Sequence, residues 1–379
     1  MLKIEEITTT TDFLGLAGCW NSLLAGSAAE SIFLTWEWIS NWWKVYGKEN
    51  ALRVLVARDG NGEAVAIAPF YSHERIVMSK VPVREIRFLG TGGDVSPDYL
   101  DIISLGDRED EAADAFTQYL MNRKDWDVLN MTDLLPTSFA ARLLQKSAFN
   151  CGLIVKTRDC AICPYIQLPL TWEEYLCGLG PNMRYNVKRR IRNLDKAFKT
   201  RYFVWEDRDC LKDAMERLAK LHIRRWVDRS QSHSFSSPEY NAFHQAVASD
   251  FAGRGWLSLS CLELDGQIAG MFYDYHYGGK MYYYQGGFDP HFSKYSLGLV
   301  LRAHVIRQAI EGGTKEFDLL KGAYEYKYLW TAHDRTTMTL AIGKKSLAAK
   351  LFFLETFEKP RLKALIRRNV PEHVLRLVK

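Results

Sequence analysis

One order of elements is written twice along this chain, and that limits its fold more than any single motif does. In the first half an apolar run over 52–57 meets Asp59-Gly60-Asn61-Gly62 and then a second run over 64–70. In the second half a run over 257–264 meets Asp265-Gly266 and then a run over 267–277. Apolar runs joined across Asp-Gly or Asn-Gly are a strong hairpin signal, because these residues tolerate the positive φ of a tight turn. Each hairpin is followed by a strand, a helix and another strand. Trp126-Asp127-Val128-Leu129 in the first half answers Glu316-Phe317-Asp318-Leu319 in the second. This recurrence predicts two copies of one α+β unit, over 1–165 and 166–345, each a mixed central sheet flanked by helices. A basic, amphipathic helical tail is expected over 346–379.

The second copy carries the more informative stretch, residues 281–330. An aromatic run ends at Gly286-Gly287, a polar loop covers 289–295, and Ser296-Leu297-Gly298 opens a helical pattern. Leu297, Val300, Leu301, His304, Val305 and Gln308 share a face at helical spacing, and Gly312-Gly313 closes the helix. A short apolar strand follows, Phe317-Asp318-Leu319-Leu320, and then Lys321-Gly322. A loop-to-helix joint of small residues suits an anion, since the backbone can come close and the first-turn N–H groups are free. Ser296 is the expected N-cap, and Gly298 leaves room beside a phosphate. The spacing matches neither a Walker loop nor a dinucleotide fingerprint. Taken alone, Ser-x-Gly is an ordinary capped helix start.

At 379 residues with 47% hydrophobic content, the chain can bury cores for two ordinary domains. Its seven scattered cysteines make no disulfide framework. Cys160 and Cys163 form a lone CxxC; no second CxxC or His pair completes a zinc site, so free thiols and no metal are expected. His222, His233 and His244 lack HExxH spacing and read as surface or core histidines. The first residues, MLKIEEITTT, are acidic and carry no apolar signal core, and no run reaches the length of a membrane span. A cytoplasmic location is the expectation.

The formal charge of +5 is unevenly placed: residues 184–201 and 344–379 each carry +7, which leaves −9 on the rest. Two basic surfaces on an acidic body point to an anionic partner. In the first of them Met183, Val187, Ile191, Leu194 and Phe198 make an apolar stripe. Arg184, Lys188, Arg189, Arg192, Lys196 and Lys199 fill the other side, and Asn182 is the expected cap. The basic side is either a solvated face or a rim for a diphosphate, a polysaccharide precursor or nucleic acid. In the tail, Leu351-Phe352-Phe353-Leu354 with Leu362, Leu365 and Ile366 either packs on its own domain or touches an anionic membrane. Trp36, Trp38, Trp42 and Trp43 suggest sugar stacking, but the i,i+4 spacing of Trp38 and Trp42 favours helical core packing. Gly90-Thr91-Gly92-Gly93 reads as a plain loop, and the polar segment 230–237 as a possible lid.

The order of aromatic strand, Phe288-Asp289-Pro290, Ser296-Leu297-Gly298, Gly312-Gly313, FDLLKG and Glu325-Tyr326-Lys327-Tyr328-Leu329-Trp330 resembles the C-terminal part of the GNAT-superfamily acetyltransferases. It is most similar there to the cellulose- and exopolysaccharide-associated acetyltransferase-like family, and more distantly to the Fem-type aminoacyltransferases. The Trp-rich segment and the Asn182-x-Arg184…Arg189-x-x-Arg192 helix resemble the same family. Where that family has Ser-Pro-Gly, this chain has Leu297, which keeps the glycine and loses a pre-set first helical residue.

The resemblance implies a tandem GNAT-like fold with catalysis in the second unit and acetyl-CoA or another acyl-CoA as co-substrate. The splayed strands would be 281–287 and 315–321, with the CoA pyrophosphate at the start of the 296–312 helix. Gln285, Gly286, Ser296 and Gly298 would contact the cofactor. Asp318, an acid in an apolar strand, is the candidate base, since burial raises a carboxyl pKa. Tyr326 would protonate the leaving thiolate, with Tyr284 in reserve. Lys327 lies in a Tyr-Lys-x-x-Trp pattern similar to the Fem-type Phe-Lys-x-x-Phe, which assigns it, with Trp330, Arg184 and Arg189, to acceptor binding. The implied reaction acylates an amine or hydroxyl of a small-molecule or lipid-linked sugar in exopolysaccharide, cellulose or envelope assembly. An aminoacyl-tRNA-dependent ligase, which requires tRNA, and a non-catalytic binding protein stay open as alternatives.

Overall fold

The protein is described here from a computed structural model covering residues 2–227 and 234–359. The first half runs β1 (Lys3–Ile7), α1 (Thr10–Gly15), α2 (Ala17–Ala25), α3 (Trp36–Tyr46), β2 (Ala51–Arg58), β3 (Ala64–Val77), β4 (Val81–Phe88), β5 (Ile103–Ser104), α4 (Glu109–Asn122), β6 (Val128–Leu134), α5 (Gln145–Asn150) and β7 (Ile154–Gln167). The second runs α6 (Trp172–Gly178), α7 (Pro181–Ala197), β8 (Thr200–Val204), α8 (Leu211–Val227), α9 (Pro238–Arg254), β9 (Leu257–Leu264), β10 (Gln267–Tyr277), β11 (Lys280–Phe288), α10 (Leu297–Glu311), β12 (Glu316–Asp318), α11 (Glu325–Tyr328), β13 (Asp334–Gly343) and α12 (Leu347–Phe353).

The repeated order is present in the fold. β2 and β3 pair antiparallel around a turn in which Asp59 Oδ1 accepts the N–H groups of Asn61 and Glu63, at 2.9 and 3.0 Å. β9 and β10 pair in the same way around Asp265 and Gly266, whose φ values are +49° and +85°. In both halves the next strand lies parallel to the strand that follows the helix: β4 to β6, and β11 to β12.

The two expected sheets are joined into one. Strands follow the order β1-β2-β3-β4-β6-β13-β7-β12-β11-β10-β9-β8, with β5 beside β3. β13, late in the second unit, lies between β6 and β7 of the first. The end of β7 in turn pairs with β12 of the second, Tyr165, Ile166 and Gln167 opposing Asp318, Phe317 and Glu316. The length of β7 makes this exchange possible: 154–164 serves β13 and 165–167 serves β12. The boundary drawn at 165 therefore falls inside a shared strand, and 334–343 belongs spatially to the first sheet. Pulled apart, each half would expose rows of unpaired backbone groups on β6, β7 and β12.

Side chains join the halves as well. Trp38 and Trp42 in α3 are buried, as their spacing predicts. Trp38 packs edge-on against Phe243 of α9 at 4.9 Å and contacts His244, Tyr275 and Tyr284 of the second half. Asn41 Nδ2 donates to Asp250 Oδ2 at 2.7 Å, and Arg254 pairs with Glu37 at 2.8 Å.

Other local expectations are corrected. α7 begins at Pro181 behind Gly180, so Asn182 lies in the first turn; the fixed φ of proline suits that first helical position. Cys160 is exposed and Cys163 buried within β7, so the CxxC is split between environments on one strand. In the described part of the tail, Phe352, Phe353 and Phe357 pack on Val77, Val83 and Val128 of the first half. Leu362, Leu365, Ile366 and residues 228–233 of the polar loop lie outside the described residues. Among the described residues no helix is long and apolar enough to cross a membrane, and no group of three His, Cys, Asp or Glu is arranged to hold a metal.

Because the last strands are exchanged, 1–169 and 170–379 expressed separately should each fail to fold as monomers and should co-purify as a 1:1 complex when co-expressed. A cooperative melt from either piece alone would contradict this account of the sheet.

Candidate functional site

β11 has nine residues but meets β12 only at Lys280, Met281 and Tyr282. Beyond Tyr282 the two strands part, and the local causes are visible. Tyr283 opposes Asp274 and Gln285 opposes Tyr273, so Tyr284 is an extra residue in a β-bulge, which bends the strand. On the other side Leu320 takes a left-handed φ of +56°, and its N–H donates to Asp318 Oδ1 at 2.7 Å. Lys327 Nζ holds this turn by donating to the Leu320 and Lys321 carbonyls, both at 2.8 Å.

The glycines after the bulge let other groups approach. A Cβ on Gly287 would stand 2.4 Å from the backbone nitrogen of His222, so α8 can pass only against a glycine. A Cβ on Gly286 would strike the Phe272 ring at 2.5 Å. The Gly286 carbonyl lies 3.1 Å from His222 Nδ1, and its N–H donates to Gln285 Oε1 at 3.1 Å.

Alternation along the strands divides the predicted residues between two faces. Tyr283, Phe317 and Leu319 join the core that contains α10, whereas Tyr282, Tyr284 and Leu320 join the larger core shared with the first half. On the α10 face a cavity of about 320 Å³ takes in Ser296, Gly298, Tyr326 and Trp330 of the predicted set. Phe272, Tyr283, Phe288 and Arg302 complete much of its wall. The structure therefore brings Ser296, Gly298, Tyr326 and Trp330 together and puts Tyr284 and Asp318 on the opposite face.

Ser296 marks the start of α10 without capping it by its side chain. It adopts a left-handed conformation, φ 57° and ψ 50°, and its hydroxyl accepts no cap bond. Its carbonyl accepts the N–H groups of Leu299 and Val300, leaving those of Leu297 and Gly298 ahead of the helical ladder. Gly298 also sits close under a ring: a Cβ there would lie 3.0 Å from Phe288, which would have to shift slightly. α10 has no acid in its first turn, so the positive end of its dipole is uncompensated. Its counterpart in the first half, α4, opens with Glu109, Asp110 and Glu111, two of them held by Arg142 and Arg108 at 2.8 Å. An anion is repelled at α4 and favoured at α10.

Arg302 was not singled out from the sequence. It is 3% exposed, lies over the Tyr283 ring at 3.8 Å and near the Phe272 ring at 5.0 Å, and its Nη1 has no hydrogen-bond partner. The available signal was an arginine at helical spacing from Leu299 and Ile306, within an otherwise apolar stretch over 297–303.

On the opposite face Asp318 is fully buried. Burial pushes its carboxyl up to about 7, against the opposing effects of the Arg335 guanidinium and the Leu320 N–H. The Tyr284 phenol is raised well above its ordinary range, chiefly by burial, and interacts with Tyr240. It therefore stays neutral, with a hydroxyl that can donate or accept a hydrogen bond. The remaining predicted contacts go to the chain itself. Arg184 donates to the Cys177 and Leu179 carbonyls at 2.7 and 3.1 Å, closing the end of α6. Arg189 donates to Asn186 Oδ1 at 2.9 Å. Lys327 is buried and lowered to about 8 by burial, and the Trp330 carbonyl accepts the Tyr175 hydroxyl at 2.9 Å.

Residues 181–328 match the family model described as an acetyltransferase (GNAT) domain. Over that stretch the second half is similar to GNAT acetyltransferase domains. The stretch starts with α7 and ends with α11, so it includes the parted strands, α10 and the cavity wall short of Leu329 and Trp330, but neither exchanged strand. No curated protein matches the chain by sequence. Solved structures match over nearly the whole chain at low identity. FemX gives a TM-score of 0.59 at 11% identity, over 92% of this chain and 98% of its own. L-PGS from Bacillus licheniformis gives 0.52 at 10% identity, over 89% and 95%. A conserved protein of unknown function from Bacteroides thetaiotaomicron gives 0.52 at 11% identity, over 91% and 100%. These likenesses concern the fold: both halves together have the GNAT-like architecture expected from the repeat.

The raised Asp318 carboxyl makes a stability prediction. Its value of about 7 exceeds the ordinary 3.8, so the folded protein keeps a proton that the unfolded chain releases. That contribution is complete below about pH 4 and is lost as pH rises through 7. It amounts to a few kcal/mol at most, on the order of 1.4 kcal/mol per pKa unit. Asp318→Asn should flatten the fall in melting temperature between pH 5 and 8. A residual slope should remain from Asp98 and Asp101, raised to about 6 and about 7. An unchanged profile in the variant would show that Asp318 does not titrate there.

Proposed function

We propose that this protein is an acyl-CoA-dependent N- or O-acyltransferase whose donor enters the α10 face and whose acceptor enters from the opposite face. The observation that carries the reading is the contrast between the two equivalent helix starts. The N-terminus of α10 is free of acids and adjoins a cavity beside parted strands, whereas α4 is closed by three acidic residues. The donor site is accordingly assigned to 166–345, and the first half, 1–165, serves as a non-catalytic partner.

In this reading the CoA diphosphate meets the Leu297 and Gly298 N–H groups, and the pantetheine arm follows the cavity past Tyr283 and Phe288 to the parted strands. The Gly286 N–H, now bound to Gln285, becomes available to the thioester carbonyl when Gln285 turns away, supporting negative charge as the acceptor attacks. The acceptor's N–H or O–H proton passes to Asp318. The C–S bond breaks, and Tyr326 protonates the leaving thiolate. Tyr284 and Tyr240, both neutral phenols, orient the acceptor. Lys327 supports this site by holding the turn that keeps the strands apart.

The phenols of the face opposite α10 suit a polyhydroxylated acceptor, while the basic side of α7, which packs with α10, lies on the donor side. That agrees with a sugar or amino sugar on a lipid-linked or soluble intermediate of exopolysaccharide or envelope assembly. Aminoacyl-tRNA is the weaker donor here, because a buried arginine in the cavity wall would repel the ammonium of an aminoacyl group.

The test is thermal unfolding with CoA, acetyl-CoA and total tRNA. A ligand present at 100 times its Kd adds about 2.7 kcal/mol, which is visible as an upward shift. CoA and acetyl-CoA should each raise the midpoint, and Gly298→Glu, which puts a carboxylate at the helix start, should abolish the shift while Gly298→Ala keeps part of it. Stabilisation by tRNA alone would transfer the reading to an aminoacyl donor.

A further inference from the structure

Resting on the acyl-CoA reading, we propose that the transferred acyl group itself carries a carboxylate. The donor is then a CoA monothioester of a short dicarboxylic acid, of the malonyl, succinyl or glutaryl type, and Arg302 is the residue that selects it.

Arg302 is the one charged side chain in the wall of the donor cavity. The remaining wall is aromatic, aliphatic, glycine or hydroxyl, so nothing acidic in the lining balances it. A guanidinium cannot shed its proton to escape burial, and an uncompensated buried cation is costly. Arg302 nevertheless stands 3% exposed, with its Nη1 lacking a hydrogen-bond partner and no ion pair among the described residues. The Tyr283 ring beneath it, at 3.8 Å, offsets part of that cost by a cation–π contact.

Asp274, on β10 opposite Tyr283, does not complete the balance. It is fully buried, neither carboxyl oxygen has a hydrogen-bond partner, and burial raises its pKa well above the ordinary range despite the Arg302 charge. With no ion pair between Asp274 and Arg302 among the described residues, the guanidinium Nη1 stays without a partner. The geometry thus has a vacant planar donor, buried and electropositive, whose best match is a carboxylate.

Its position fits the acyl end of the donor and not the diphosphate end. Tyr283, on which the guanidinium lies, is the first residue of β11 past the last pair with β12, where the thioester would be held. Leu297 and Gly298, which would receive the diphosphate, are at the start of α10, more than a full turn earlier in the helix. A carboxylate two or three carbons beyond the thioester would reach Arg302, whereas an acetyl group would leave it unmatched.

The reaction needs no further reagent. The acceptor nitrogen or oxygen bonds to the thioester carbonyl carbon, the C–S bond breaks, and CoA leaves as the thiol. The acceptor loses one proton to Asp318, the thiolate gains one from Tyr326, and the distal carboxylate is unchanged. The product gains an acidic arm.

Calorimetry on the full chain compares CoA, acetyl-CoA and succinyl-CoA, with malonyl- and glutaryl-CoA setting the length. At least one dicarboxylic thioester should bind 10-fold or more tighter than acetyl-CoA. Arg302→Met should erase that preference, weakening the dicarboxylic thioester by at least 10-fold more than it weakens CoA, and Arg302→Lys should restore part of it. Equal affinity for all the thioesters in the unmodified protein overturns the proposal, and that comparison does not depend on any variant folding. So does an Arg302→Met protein in which CoA itself is weakened as much as its succinyl thioester, since Arg302 would then hold the diphosphate. Failure of every CoA species to bind defeats the acyl-CoA reading itself, a result distinct from equal binding.

Discussion

The exchange of strands between halves is the constraint on which the rest of this molecule depends. β13 completes the first half's sheet and the end of β7 completes the second's, so backbone hydrogen bonding in each half is satisfied only by the other. β7 also passes directly beside β12, the strand whose last residue is Asp318. The parting of β11 and β12 is held from the first half as well: Lys321, just past the left-handed Leu320, bonds Asp133 Oδ1 and the Pro97 carbonyl and pairs with Asp98. The parted strands of the second half are thereby braced by the first, which gives the first half a physical role.

The two halves share an element order and differ at one joint. Both halves present a helix start after a strand that pairs only briefly in parallel with its neighbour. Three acids in the first turn of α4 reverse the local electrostatics there. At α10 the same joint has no acid, a glycine pressed against Phe288 and a cavity next to it. The difference in charge lies within one helical turn, the range over which dipole effects act.

The two sheet faces divide the chemistry. The α10 face collects aromatic rings and one guanidinium; the other collects carboxyls and phenols whose pKa values burial has raised. In the proposed reaction the thioester carbonyl sits at the gap between them, beside the Gly286 N–H. Residues that looked like ligands from the sequence, such as Arg184 and Lys327, are spent on carbonyls that hold the elements bounding this gap.

The sequence by itself determined the repeat, the hairpins, the packing of Trp38 and Trp42, and the importance of the joint at Ser296-Leu297-Gly298. Those features are local: turn residues, helical spacing and a break in periodicity act within a few residues. It also marked Asp318 as unusual, since an acid in an apolar strand is legible without a fold. Only the tertiary structure decided that the two sheets are one, because strand exchange depends on pairing partners more than a hundred residues apart. Tertiary structure also set Tyr284 and Tyr326 on opposite faces, through a bulge that no local pattern announces. It buried Arg302 against Tyr283, where a charge that would be solvated on an isolated helix becomes an unmatched cation in a closed wall.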